Sequence, residues 1–374
     1  MNVEYAKIDP EQIKDTYGEY DVVDFMINTD RNVVAGSIRI EGDIEFQTAG
    51  ARIDHTNSIY YNPHTGMHGV CESISTQLGG SGEVVEFIQN VGRYVNMKNA
   101  VNKDEDDYFN SKDICELAVS SPEQAKQICR GKVHQNSANT IEDNDFSFVP
   151  MFCLNRVSNS SSVSLAPYNN LVKVSINLAR NFSFLTGSGV VATSQYLLKN
   201  LKMTYRTVPS SPTPNIMCRS FVSLKQTIST NNASVNTRVP AIAEGVSISF
   251  LQQAKENTGI DNNYQLEKPP LPKSVKYMFN DNSSNYITYS ITDLGEMVQG
   301  GIESMNGGSH NSVNPTKQGG VNGWVMGANF NGAIDLRSQK FTMELETQIS
   351  TIPYLVYMFF HTRINLSNAP NQLS

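Results

Sequence analysis

The sequence predicts an all-β chain folded as two consecutive eight-stranded jelly rolls, each with one short helix inserted. Three observations carry this expectation. Strands of period-two alternation recur along the chain, an order of strands, helix, loop and two closing strands occurs twice, and the two occurrences have closely similar length. Many short strands with polar turns and long crossings argue for β-sandwiches with Greek-key connections. Eight strands in two sheets fit the length of each half. The expected divisions are an N-terminal arm at 1–20, a first roll at 21–190, a second roll at 196–366 and a C-terminal tail at 367–374.

At 374 residues the chain exceeds a comfortable single core, and two domains of roughly 150–190 residues are the default. Charged residues make up only 17% and hydrophobic ones 39%, so Asn, Ser, Thr and Gly fill long uncharged loops. The formal charge is −7 and no Lys/Arg run occurs, whereas a protein that coats nucleic acid needs a basic stripe to displace phosphate counterions. Direct nucleic-acid binding is therefore not expected. No apolar stretch reaches the roughly 18 residues of a membrane span, and residues 1–20 carry no secretion signal. Five cysteines, none spaced as Cys-x-x-Cys, read as free thiols in a reducing compartment.

Residues 1–20 are polar and mixed in charge, and are expected to become fixed only against a partner. The first roll opens at Asp24–Asn28 and continues in Val33–Phe46, where Ile38, Ile40, Ile44 and Phe46 alternate with Arg39, Glu41, Asp43 and Glu45. A one-residue slip there would bury four charges, so the register is fixed. Over Glu83–Asn96 the period changes: Val84, Phe87, Ile88, Val91, Tyr94 and Val95 repeat every three to four residues, predicting an amphipathic helix. A long excursion, 98–145, contains the acidic run Asp104–Asp107 and a capped short helix at Ser121-Pro-Glu-Gln124. Phe146–Asn155 and Leu171–Leu178 close the first roll.

After a linker at 187–195, the second roll is expected to start at Tyr196–Arg206. Phe221–Ile228 and Val246–Phe250 read as strands, Asp293–Met305 as a helix and 306–323 as a flexible loop. The chain ends on Phe341, Met343 and Leu345 alternating with Thr342, Glu344 and Glu346, and then on Tyr354–Phe360, which is apolar on both faces. A wet edge strand of that kind would aggregate, so both faces must be covered, either by a neighbouring subunit or by the loops and helix of the same domain.

Nothing in the sequence assembles a nucleophile, a base and an oxyanion hole, and no catalytic, cofactor-binding or metal site is expected. His64 and His68 have i, i+4 spacing, but Pro63 and Gly66 argue against the helix that would place them on one face. Asp104–Asp107 lacks the spaced ligands of a calcium loop. Gly79–Gly82 precedes the expected helix but is not followed by Gly-Lys-Ser/Thr, so flexibility is the better reading. His361, in the apolar closing strand, reads as a satisfied core or interface histidine. Trp324 is the sole tryptophan, so no aromatic carbohydrate platform is evident.

Several segments carry a family resemblance. Val34-Ala-Gly-Ser-Ile-Arg-Ile-Glu-Gly42, Asn57–Gly66, Val85–Asn90, Phe146–Asn155 with Ser175–Arg180, and Gly332–Arg337 with Pro353–His361 resemble segments of double jelly-roll major capsid proteins of the tectivirus–adenovirus lineage. In pattern they are most similar to those of polinton-like viruses and virophages. The resemblance covers roughly 20–366 in patches and omits 209–290. It implies a structural protein of an icosahedral double-stranded DNA virus, not an enzyme, whose homotrimers form pseudo-hexagonal capsomers of the virion shell after assembly in the host cell. The implied partners are neighbouring capsomers, penton and minor capsid proteins, and an internal membrane reached through the arm at 1–20. The competing reading is a viral or cellular β-sandwich attachment or carbohydrate-binding protein.

Overall fold

A computed structural model of the chain describes residues 3–53, 59–61, 65–79, 82–102, 144–212, 215–259, 264–280, 287–306, 324–348 and 352–366. The acidic run Asp104–Asp107, the short helix at Ser121–Gln124, His64, nearly all of the loop 306–323 and the tail 367–374 lie outside the described residues.

The first unit contains β1 (Glu4–Ile8), β2 (Val22–Asn28), β3 (Asn32–Val34), β4 (Arg39–Thr48), β5 (Ala51–Arg52), β6 (Tyr60–Tyr61), β7 (Cys71–Leu78) and β8 (Glu83–Gln89). Helix α1 (Val91–Asn102) follows, then β9 (Asn144–Phe148), β10 (Ser162–Val163), β11 (Leu171–Leu178), β12 (Leu185–Thr186) and β13 (Ser194–Val208). The second unit contains β14 (Met217–Ile228), β15 (Asn232–Arg238), β16 (Ile242–Gln252), β17 (Ser274–Asn280) and β18 (Ile287–Ile291). Helix α2 (Leu294–Asn306) leads to β19 (Met326–Asp335), β20 (Lys340–Glu346) and β21 (Tyr354–Asn365).

The second unit is an eight-stranded jelly roll. One sheet has the order β14-β21-β16-β19 and the other β15-β20-β17-β18. The sheets meet face to face, with Phe341 edge-on to Phe360 at 4.9 Å and Phe279 edge-on to Phe330 at 4.8 Å. The alternation read in the sequence sets this core, since Phe341, Met343 and Leu345 are all buried. The first unit has a matching sheet, β2-β11-β7-β8, in which Val172, Val174, Ile176 and Leu178 form the inner face as expected. Its second sheet is larger, seven-stranded, and built on β3, β4 and β13.

Three expectations need correction. Glu83–Gln89 is a strand paired with β7 rather than the start of a helix, and α1 begins only at Val91. The spacing of Val84, Phe87, Ile88 and Val91 imitates a helix because Glu86 occupies an inward strand position that would ordinarily be apolar. Tyr196–Arg206 does not open the second roll. It lies within β13, which pairs with β4 along most of its length and with β3 at its end. Alternation reports which face of a strand is buried but not which sheet it joins. The first unit therefore runs through Val208, the second opens with β14 at Met217, and 187–193 lies within the first unit.

The arm at 1–20 is docked on its own chain. Strand β1 pairs antiparallel with β13, and Tyr17, 2% exposed, exchanges two 2.8 Å backbone hydrogen bonds with Leu198. Without this segment, β13 would present an unpaired edge over the same stretch. One smaller difference concerns Val33–Phe46, which is interrupted at Gly36 (φ +70°) so that β3 and β4 continue along the same side of β13.

Candidate functional site

The most chemically specific part of the molecule is the junction of the two rolls. Edge strand β8 of the first roll lies beside edge strand β14 of the second, joined by side chains. The Ser223 hydroxyl donates to the Gln89 carbonyl at 3.0 Å, and the Asn90 side-chain amide donates to Ser223 Oγ at 3.3 Å. Glu86, 4% exposed, accepts from the Ser220 hydroxyl at 2.5 Å, from the Cys153 amide at 2.6 Å and from the Arg156 guanidinium. A buried carboxylate costs several kcal/mol unless it is paired and its remaining lone pairs are satisfied. Here one residue from β14 and two from the turn after β9 satisfy it, so the pair specifies how the rolls meet.

Helix α1 fills the corner above this seam. Its second residue is Gly92, where an added Cβ would lie 2.8 Å from the Tyr264 ring. That absence lets the helix approach the 264–267 segment of the second roll. Arg93 donates to the Gln265 carbonyl at 2.9 Å and stacks on Tyr357 at 4.1 Å, and Asn96 donates to the Tyr264 carbonyl. Tyr264 in turn donates to the Gly69 carbonyl at 2.6 Å. Tyr94 stacks on Phe221 with ring centroids 4.0 Å apart and lies 5.4 Å from Phe359.

These contacts answer what covers the second face of Tyr354–Phe360. The cover comes from within the chain, through α1 of the other roll, whose Arg93 and Tyr94 lie against Tyr357 and Phe359, while α2 covers the neighbouring strands β16 and β19. Helix α2 sits close because Gly300, Gly301 and Gly327 carry no side chains, and an added Cβ on Gly300 would lie 2.3 Å from the Gly327 carbonyl oxygen. His361 is held in this layer between Ser247 Oγ, 2.6 Å from Nε2, and Tyr94 Oη, 3.5 Å from Nδ1. Ser247 is also bonded to Ser304 of α2 at 2.7 Å. Burial, and then the nearby Arg156 and Arg219 charges, push the imidazole down to about 3, so it is neutral at ordinary pH. The histidine is a satisfied core group, as its place in an apolar strand suggested.

The other candidates are not brought together. His68 lies in the 3₁₀ turn Gly66–Val70, buried edge-on against Phe148 at 5.1 Å. Among the described residues no three His, Cys, Asp or Glu side chains group as metal ligands. Gly79 and Gly82, both at positive φ, flank the turn between antiparallel β7 and β8 rather than a helix N-terminus. Cys71, Cys153 and Cys218 are buried free thiols. A polar cleft of about 470 Å³ opens beside the seam, lined in part by Glu72, Arg93, Arg180, Lys225, Glu256 and Cys71. Lys225 is paired with Glu256, and burial pushes the Cys71 thiol up to about 12. The cleft therefore holds no thiolate nucleophile at neutral pH.

Sequence reasoning missed Glu86, Arg156, Arg93 and Ser220. One signal was available: Val84-Val-Glu-Phe-Ile88 read as a strand puts a carboxylate between two inward apolar positions, which implies a buried partner.

No protein-family model and no curated sequence matches the chain. Solved structures do match. The Faustovirus major capsid protein superposes with a TM-score of 0.58 at 8% identity, covering 97% of this chain and 90% of that one. A chain of the PBCV-1 virus capsid gives 0.55 at 13% identity, covering 98% and 95%. The mavirus major capsid protein gives 0.51 at 10% identity, covering 96% and 86%. At these identities the likeness lies in architecture, and the chain has the double jelly-roll fold of those proteins.

Proposed function

We propose that the chain is the major capsid protein of an icosahedral double-stranded DNA virus, and that three copies form a pseudo-hexagonal capsomer. The observation that carries this is the match over nearly the whole length of several viral capsid proteins, both rolls included. The physical logic is one of symmetry. Three chains of two similar rolls give six similar lobes, so a threefold object tiles a nearly sixfold lattice. The buried seam supports the reading, because lobes fixed relative to each other are what a tiling unit requires. The acidic balance fits a shell that does not itself coat the genome.

In this reading the protein resides in the virion shell, and its partners are neighbouring capsomers, penton proteins and minor capsid proteins. Contact with an internal membrane through residues 1–20 requires β1 to leave β13, since that segment is not a free arm. The attachment-protein reading is disfavoured by Trp324, which is 2% exposed and offers no stacking platform. The deciding experiment is light scattering on the purified protein. A particle of three times 41.4 kDa that images as hexagonal plates is expected, and a stable monomer at micromolar concentration overturns the proposal.

A further inference from the structure

The cleft of about 470 Å³ beside the seam falls within the roughly 300–1,000 Å³ usual for ligand pockets. Most of the charge on its wall is already matched. Lys225 is paired with Glu256, Tyr357 donates to the same carboxylate at 3.1 Å, and Arg93 donates to the Gln265 carbonyl. Two groups differ. Among the described residues, neither the Glu72 carboxylate nor the Arg180 guanidinium makes a side-chain hydrogen bond or ion pair, although Glu72 lies in the field of Arg180. Burial holds the Glu72 carboxyl above the usual carboxylate range, even with Lys225 and Arg180 near enough to oppose it. Arg180 lies over the Tyr20 ring, 5.5 Å from its centroid.

The backbone around these groups is specialised. In β7 the register against β11 slips by one residue: Asn177 faces Ser73 and Leu178 faces Cys71, so Glu72 is the extra residue of a β-bulge. Bulges re-aim side chains, and this one carries a carboxylate of the cleft wall. Tyr20, Asn90 and Asn257, all on that wall, have φ of +66°, +56° and +57°. Asparagine tolerates this region, whereas a tyrosine rarely enters it. Tyr20 is 63% exposed, so burial of its ring does not offset the strain. Strain held at a cleft without a packing reward points to function.

We propose that the cleft binds a zwitterionic oligopeptide, whose acidic group docks on Arg180 and whose basic group docks on Glu72. A simple anion would leave Glu72 facing it, and a simple cation would face Arg180, Arg93 and Lys225. A ligand with both signs satisfies both open groups, and Tyr20 offers a ring to its apolar stems. The cleft opens to the surface, so both ends of a bound chain can leave it. The site lies within one chain, and its test is independent of the capsomer reading.

The test uses the full chain, the variants Glu72→Gln and Arg180→Gln, and the control Arg238→Gln, which alters an exposed arginine of β15 away from the cleft. A random heptapeptide library displayed on phage is panned on the unaltered protein, and enriched sequences are titrated as free peptides by calorimetry. They are expected to carry both an acidic and a basic residue and to bind the control as they bind the wild type. Each cleft variant should bind them about tenfold more weakly, the size of one lost hydrogen bond to a charged group. Binding by peptides capped at both ends assigns the ligand to an internal segment of a partner protein, and binding by uncapped peptides alone to a chain terminus or a free peptide. Hydrogen exchange on the unaltered protein gives a readout that does not depend on the variants folding: bound peptide should slow the amides of Glu72 and of 90–93, and not those of β15. No enrichment, enrichment of peptides of a single sign, affinity unchanged in both cleft variants, or slowed exchange only away from the cleft overturns the inference.

Discussion

Replacing His361 by Gln is expected to remove a specific part of the acid sensitivity of folding. The imidazole is buried between Ser247 and Tyr94, with Arg156 and Arg219 as the nearest cations and Glu86 already paired to Arg156. Its pKa is pushed down to about 3 in the folded chain, against 6.5 for the ordinary side chain. The unfolded state therefore binds a proton between these values and the folded state does not. Stability is fully present above pH 6.5 and is lost as pH falls towards 3. At about 1.4 kcal/mol per pH unit, the loss reaches about 2 kcal/mol at pH 5. The assay is urea unfolding of the wild type and of His361→Gln at pH 7.5 and pH 5. Gln keeps a group that can bond Ser247 but does not titrate, so other residues cancel in the comparison. The wild type should lose about 2 kcal/mol more than the variant between the two pH values. Equal losses would show that His361 accepts a proton in place, and the account of a dry, cation-flanked site would fail.

Three further outcomes are expected. Arg156→Leu leaves Glu86 buried without its cation and should cost about 3–5 kcal/mol, while the double variant Arg156→Leu with Glu86→Leu should recover most of it; chemical denaturation of both proteins checks this. Gly327→Ala would place a methyl carbon 2.0 Å from the Val246 carbonyl oxygen. The obstacle is backbone, so the loss should equal or exceed the 1–3 kcal/mol typical of overpacking, read as a lower melting temperature or as insoluble expression. Deleting residues 1–10 removes β1 from β13 while sparing Tyr17, and should raise the aggregation rate by light scattering without unfolding the rolls, because it frees a strand edge.

Much of the fold was legible because alternation is a local signal. Leu171–Leu178 and Phe341–Leu345 announce both the strand and its inner face, and Tyr354–Phe360 announces that both its faces are covered. What covers them was not legible, since the answer lies in Arg93 and Tyr94, some 260 residues away. Strand β8 was misread because its one inward carboxylate breaks the pattern, and the compensating Arg156 and Ser220 are far along the chain. Docking of the N-terminal segment was hidden for a similar reason. Its charged residues signal solvent, whereas Glu4, Lys7 and Glu11 pair with Arg31, Glu41 and Lys173 of the roll, beside the backbone pairing and the buried Tyr17. Local patterns thus specify the rolls, whereas their mutual placement depends on a few distant polar groups.

The seam between β8 and β14 has an evolutionary corollary. The described residues show no ladder of amide-to-carbonyl bonds between these strands, only contacts through Ser220, Ser223, Asn90 and Glu86. A ladder fixes a dihedral relation that no substitution can alter without shifting whole strands. Contacts through side chains can be exchanged one codon at a time. The angle between the two lobes is therefore an inheritable variable, adjustable while both sandwiches keep their internal registers.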